Sequence, residues 1–329
     1  MPVFVTGGTG YVGRRLTEHL VSLGQDVRLL VRSTRNTAWL ERLPVSIVPG
    51  DILDRDSLRQ AMGGCDRIFH LAALVRLWAR DPDTFHRVNV QGLRNVLDVA
   101  LEVGVERAVY TSSMRAFGPT DGQVSNEAYQ SRVRYHESAY DRSKRACECM
   151  VAEYVGKGLA VVIVNPTSIF GPPASVGRVF QLLKRLSRGQ PIPIAGDGRA
   201  IENYVYIDDV VEGHLRALEK GQSSDRYILG GENLSFNELV TLAAEVVARP
   251  AVQIHLPLAL LGLLAVVQEV VSPVLGREPS VTRLWVDTFR HDWAFSSGKA
   301  ERELGYCARS VRSGLELTWR WMQEQGYAP

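Results

Sequence analysis

Val3-Phe4-Val5-Thr6-Gly7-Gly8-Thr9-Gly10-Tyr11-Val12-Gly13 runs from an apolar strand through a glycine-rich turn into a helix that continues to Leu23. Glycines let such a turn bend tightly, let its backbone N–H groups approach a pyrophosphate, and leave the positive end of the helix facing it. Ordinary strand-helix turns carry glycines too. Position decides here, because the motif opens the first strand-helix unit, where a dinucleotide site belongs. Gly7, Thr9, Gly10, Tyr11, Val12 and Gly13 are the expected contacts.

Outward from this loop, short apolar runs alternate with longer amphipathic stretches, the pattern of a parallel sheet built from strand-helix-strand units. Strands are predicted at 2–5, 26–31, 45–48, 67–71, 108–111 and 160–165, and helices at 10–23, 56–62, 84–103 and 140–156. The pattern changes after Pro166, where Gly171-Pro172-Pro173 and then Pro191, Pro193, Gly196 and Gly198 mark loops. The expected fold is α/β: a Rossmann-type doubly wound parallel sheet over 1–170, to which 203–230 returns, with a smaller C-terminal substrate or lid region over 171–329. Within that region 203–207 reads as a strand, and 237–248 and 311–325 as helices.

Composition narrows the function classes. The chain has 329 residues, 45% of them hydrophobic, and 38 basic against 36 acidic side chains, so it has no single-sign field to attract nucleic acid. Cys65, Cys147, Cys149 and Cys307 form no C-x-x-C pair and no zinc spacing, which predicts free thiols and no metal. The first residues read as a strand and not as a basic-then-apolar leader, and the expected location is cytoplasmic. The almost wholly apolar Leu256 to Val267 run, extended by Val270 to Leu275, is short for a bilayer span. It reads as a buried helix, as a lid over an apolar substrate, or as a surface in peripheral contact with a membrane.

The second strand ends Leu30-Val31-Arg32-Ser33, with Arg35 close behind, where an NAD-selective site usually has an acidic residue roughly 20 positions beyond the glycines. Guanidinium groups there pair with a 2′-phosphate, so the expected cofactor is NADP(H) rather than NAD(H). Gly50-Asp51-Ile52 and His70-Leu71-Ala72-Ala73 follow the third and fourth strands, at the carboxyl edge where open parallel sheets bind ligands. Tyr140 and Lys144 lie four apart on a helix, hence on one face. An ammonium near a phenol favours its ionised form. Ser113 ends the strand-like run Val109-Tyr110-Thr111-Ser112-Ser113.

The stretches 6–13, 50–54, 70–73, 88–92, 110–113, 140–144, 165–172 and 204–210, in register, resemble the extended branch of the short-chain dehydrogenase/reductase superfamily. Within it the sequence is most similar to dihydroflavonol 4-reductase-like and hopanoid-associated reductase/epimerase-like proteins, with 3β-hydroxysteroid dehydrogenases as more distant relatives. The resemblance implies that Tyr140 is the proton donor or acceptor at the substrate oxygen, that Ser113 hydrogen-bonds the same oxygen, and that Lys144 holds the nicotinamide ribose and tunes Tyr140. Asn89 and Thr111 fall in matching motifs, and Pro166, Thr167, Ser168 and Ile169 would lie against the nicotinamide. Relatives include monomers and homodimers, the latter joined through helices corresponding to 84–103 and 140–156.

Three departures choose among the superfamily's chemistries. Sugar dehydratases carry an Asp-Glu pair where this chain has Met114-Arg115. NAD-retaining nucleotide-sugar epimerases, the alternative reading, carry the acidic residue that Val31-Arg32 lacks. Nucleotide-sugar enzymes tend to grip the diphosphate with an arginine where this chain has Glu202-Asn203-Tyr204, a carboxylate expected to repel it, although Arg199 lies nearby to compensate. A second alternative, a non-catalytic NADP sensor, usually lacks the tyrosine-lysine pair. Trp78, Ser113, Met114, Tyr129, Phe170 and Arg178, with Arg76, Leu77, Phe180 and Trp285, are the candidate substrate contacts. They are apolar enough to predict reduction of a ketone or aldehyde, or the reverse, on a fairly hydrophobic small molecule.

Overall fold

A computed structural model describes residues 1–33, 37–76, 78–173, 177–274 and 277–328. Its centre is a seven-stranded sheet of β1 (Val3–Thr6), β2 (Val27–Val31), β3 (Val45–Pro49), β4 (Arg67–His70), β5 (Arg107–Thr111), β6 (Ala160–Pro166) and β10 (Arg226–Leu229). The strand order is β3-β2-β1-β4-β5-β6-β10, every pair parallel. This is the doubly wound Rossmann order with one strand added beyond β6. Inner strands such as β1 are buried along their whole length, which is why they read as continuous apolar runs instead of alternating ones.

Helices cover both faces. On one, Leu16 and Leu20 of helix Tyr11–Ser22 and Val210, Val211 and Ala217 of helix Ile207–Lys220 pack on Val5, Leu29, Val109 and Val164. On the other, Leu58, Leu93, Val96, Val151 and Tyr154 pack on Phe4, Ile68, Tyr110 and Ile163. The helix expected over 84–103 forms over 83–102, with one wide π turn at His86–Gln91.

Beyond β6 the chain builds β7 (Ser168–Phe170), β8 (Ile192–Ala195), β9 (Ile201–Tyr206), β11 (Glu232–Ser235) and β12 (Gln253–Leu256). Of the stretch read as strand 203–207, residues 203–206 lie in β9, which pairs with β7 and β11 in its own three-stranded sheet, and Ile207 already opens helix Ile207–Lys220. From 203–230, the main sheet receives β10. Asn203 ties β9 to β11 and its surroundings: buried completely, its Nδ2 donates to Gly231 O, Asn233 Oδ1 and Phe295 O, and its Oδ1 accepts from Thr167 Oγ1 and Gly231 N. A second apolar core joins helices Arg178–Ser187, Phe236–Val247 and Val311–Glu324 to β8 and β9. The apolar run after residue 256 forms helix Leu258–Val274. No helix among the described residues is long and apolar enough to cross a membrane.

Candidate active site

Strand order reverses between β1 and β4, and there the two carboxyl ends are tied together. Leu71 N donates to Thr6 O, Ala72 N to Thr6 Oγ1, and Thr6 Oγ1 lies 2.7 Å from His70 Nδ1. His70 is completely buried, and burial, with the Lys144 charge adding to it, pushes its imidazole down to about 3, so it is neutral. Above this junction the glycine loop passes so closely that side chains are excluded. A Cβ on Gly13 would stand 2.0 Å from Gly7 O, and one on Gly7, at φ +74°, 2.5 Å from Ala72 N. Helix Tyr11–Ser22 starts at Gly10 with no side-chain cap and no acidic residue in its first turn. Its orphan N–H groups and positive end are thus left for an external anion, and the cradle fits a dinucleotide pyrophosphate.

A cavity of about 600 Å³ opens over this loop. It gathers Thr6, Gly7, Thr9, Gly10, Tyr11, Val12, Gly13, Arg32, Asp51, Ile52, Leu71, Ala72, Ala73, Thr111, Ser113, Tyr140, Lys144, Pro166, Thr167 and Ile169. Arg32 is exposed at the end of β2, on the cavity wall. Arg35 and Leu77 lie outside the described residues. Asn89 and Ser168 stand behind the wall: Asn89 Oδ1 accepts from Leu74 N at 2.7 Å and its Nδ2 donates to Ser143 Oγ, while Ser168 Oγ donates to Glu202.

Helix Ala139–Gly156 carries the tyrosine-lysine pair and begins with a capping box, in which Ser138 Oγ accepts from Asp141 N and Asp141 Oδ2 from Ser138 N. Tyr140 is 7% exposed. Burial pushes its phenol up to about 12, against the lowering effects of a hydrogen bond with Ser113 and of the nearby Arg115 charge. Lys144 is 3% exposed, its Nζ donating to Thr111 O at 2.7 Å and lying 5.9 Å from the Tyr140 ring centre. Burial holds its ammonium down at about 8, with Cys147 and Glu148 pulling the other way. Ser113 caps the turn Met114–Ala116, its Oγ accepting from Arg115 N, while its carbonyl accepts from Asn165 Nδ2.

Two supports of this trio escaped the sequence reading. Arg115 makes a two-pronged pair with Asp141, at 2.9 and 3.1 Å, and lies 4.1 Å above the Trp293 ring. It thereby bolts the Ser113 turn to the first turn of the tyrosine helix. Glu148, one further step along the face of Tyr140 and Lys144, accepts from Ser112 Oγ, Asn165 Nδ2 and Arg226 Nη1. The four-residue spacing Tyr140, Lys144, Glu148 was the available signal for the second.

The remaining substrate candidates are spread out. Met114 and Tyr129 pack with Phe117, Trp293 and Phe295, and Tyr129 Oη donates to Pro119 O. Phe170 is buried against Tyr206. Trp78 is half-buried in the loop after β4, and Arg76, on the wall of the same cavity as Ser113, Tyr140 and Lys144, pairs with Glu278. Arg178 and Trp285 line a separate, mainly apolar cavity of about 350 Å³, with Leu182, Ile192, Phe236, Leu256, Leu261, Phe289 and Trp293. Arg115 links Asp141, the neighbour of Tyr140, to Trp293 and Thr288 on the wall of this second cavity. Glu202, expected to repel a diphosphate, is neutralised by Arg178 at 2.5 Å, so that expectation loses its electrostatic basis. Arg199 points into solvent beside Asp197.

A parallel sheet with a glycine cradle at its switch point, and a tyrosine, lysine and serine around the same cavity, is the frame of a dinucleotide-dependent enzyme. The chain belongs to the NAD dependent epimerase/dehydratase family, which matches residues 3–230. It is 38% identical to a Synechocystis sp. protein named as a candidate dihydroflavonol 4-reductase, over 98% of this chain and 95% of that one. It is 31% identical to a Stigmatella aurantiaca ketoreductase of 4-hydroxy-2-methyl-3-oxo-4-farnesyl-3,4-dihydroquinoline-1-oxide, over 96% and 95% of the two chains. The crystal structure of gox2253 superposes with a TM-score of 0.82 at 33% identity, over 99% of each chain.

Proposed function

We propose that this protein is an NADP(H)-dependent oxidoreductase that reduces a ketone or aldehyde on a fairly hydrophobic small molecule, or oxidises the corresponding alcohol. The convergence of Ser113, Tyr140 and Lys144 on the cavity floored by the glycine cradle carries the reading. When bound, the nicotinamide supplies the hydride for the carbonyl carbon. Gly7, Gly10 and Gly13 admit the pyrophosphate, Arg32 pairs with the 2′-phosphate, and Lys144 holds the nicotinamide ribose. Ser113 Oγ donates a hydrogen bond to the substrate oxygen. Tyr140 delivers its phenolic proton to the same oxygen as negative charge develops there. The reductase names of relatives covering nearly the whole chain support net reduction. The apolar second cavity, one side chain away from the trio, supports a hydrophobic substrate.

Cofactor choice is tested at Arg32. A charge-assisted contact to phosphate is worth about 1.5–3 kcal/mol, so Arg32→Ala raises the KM for NADPH by about 10- to 100-fold while that for NADH stays within about threefold. Steady-state cofactor titrations against a panel of aromatic, steroidal and aliphatic ketones measure this. Equal effects on both cofactors would remove Arg32 from the 2′-phosphate site. Tight NAD binding with no net turnover would replace the reductase with a nucleotide-sugar epimerase.

A further inference from the structure

Helix Leu258–Val274 has two unlike faces. Leu261, Ala265 and Ser272 are buried, and Gln268 between them is partly so, at the spacing of one helical stripe. Leu261 and Ala265 pack against Val286, with Leu261 also in the wall of the second cavity. Opposite them, Leu260, Leu263, Leu264, Val266, Val267, Val270 and Val271 are 42% to 68% exposed. A contiguous exposed aliphatic strip of this kind marks a partner or a membrane.

The polar groups near the helix decide which. Its charged residue, Glu269, is paired with Arg283, and Gln268 Oε1 accepts from Ser280 and Val281. Both are spent on the inner side, so among the described residues the outer side of the helix offers neither charge nor hydrogen bond. Protein interfaces draw their energy from Trp, Tyr and Arg anchors and under-use Leu and Val, whereas hydrocarbon asks only for aliphatic surface. Arg277 stands exposed just past the helix, its backbone N–H donating to Ser272 O. A long cationic side chain there complements lipid phosphates while the aliphatic strip goes deeper. The helix has 17 residues, about 25 Å at 1.5 Å each, short of a bilayer's hydrocarbon thickness of about 30 Å.

We propose that this helix lies in the headgroup plane of a phospholipid bilayer, its Leu260–Val271 face in the hydrocarbon and its Leu261 face over the second cavity. The protein is then a peripheral membrane protein whose apolar cavity sits under its membrane-facing helix. Docking is independent of turnover, so its test does not depend on the reductase reading.

The purified full chain is floated through a density gradient with phosphatidylcholine vesicles, beside Leu263→Glu, Val267→Glu and the distant surface control Leu23→Glu. The wild type and Leu23→Glu rise with the vesicles, and each helix substitution lowers the partition coefficient by about tenfold or more, since a carboxylate is strongly disfavoured in hydrocarbon. Adding about one-fifth phosphatidylserine changes wild-type binding by less than about threefold, because a single arginine contributes little. Wild-type protein that stays with the soluble fraction overturns the proposal, as does binding that requires phosphatidylserine. A wild-type dimer that Val267→Glu dissociates, without flotation, gives the face to a second copy and likewise overturns it.

Discussion

Tyr140→Phe lowers kcat/KM for carbonyl reduction by about 10³- to 10⁴-fold, at the strong end for a positioned general acid, while the dissociation constant for NADPH moves by less than about threefold. The phenyl ring keeps its edge contact with Phe85, whose centroid lies 6.5 Å away, so the fold is retained and the loss falls on proton delivery. The pH profile separates the partners. With its phenol raised to about 12, Tyr140 holds its proton across the neutral range. Lys144, held down at about 8, is cationic below that pH and neutral above it. Reduction is therefore flat from pH 6 to about 8 and declines above, by at most tenfold per pH unit, as the ammonium is lost. In Lys144→Arg the guanidinium keeps its charge, and the decline moves beyond pH 10. Stopped-flow NADPH oxidation at saturating cofactor reads both effects. A wild-type profile unchanged to pH 10 would show that the Lys144 charge is not needed for reduction, and substantial activity in Tyr140→Phe would hand the proton to another group.

The Rossmann half was legible because its signals are local. β1, β2, β4, β5 and β6 are short apolar runs buried on both faces, and the Gly7–Gly13 turn announces itself through the contacts its missing side chains allow. The cavity brings together most of the cofactor residues read from the sequence, since many of them follow strands whose carboxyl ends face the same crevice, while helix Ala139–Gly156 supplies Tyr140 and Lys144. What stayed hidden depends on distant partners. Nothing local distinguishes β9 from β10; the fully buried Asn203 links β9 to Gly231, Asn233 and Phe295, partners 28 or more residues away, while β10 joins the main sheet. The charge on Glu202 looked repulsive until Arg178 was found beside it. The Leu258–Val274 run gave no sign from composition that one stripe would be covered and the rest exposed. Arg115 showed only as a departure from the dehydratase pattern, because its partner lies 26 residues on.

That pair carries the largest effect expected on stability. Asp141 is completely buried and Arg115 is 8% exposed. Removing one partner of such a pair leaves an uncompensated charge, at a cost of about 3–5 kcal/mol. Arg115→Met therefore destabilises the protein by that amount in urea unfolding, also losing the guanidinium's contact with the Trp293 ring. Asp141→Asn in the same chain restores most of the loss, because an amide oxygen still accepts from Ser138 N and no naked carboxylate remains. The double-mutant cycle thus returns a coupling energy above about 2 kcal/mol. Activity discriminates further. With the charge gone but the bolt missing, the restored double variant is folded yet holds Ser113 and Tyr140 on two elements no longer fixed to each other. Its kcat is lower by about tenfold or more, as expected when catalytic groups lose alignment, with NADPH affinity unchanged at the glycine cradle. A single variant within about 1 kcal/mol of wild type would mean that Asp141 is met by another partner when Arg115 is absent. A double variant with full activity would mean that the helix and the Ser113 turn are aligned by their own packing, leaving Arg115 a role in stability alone.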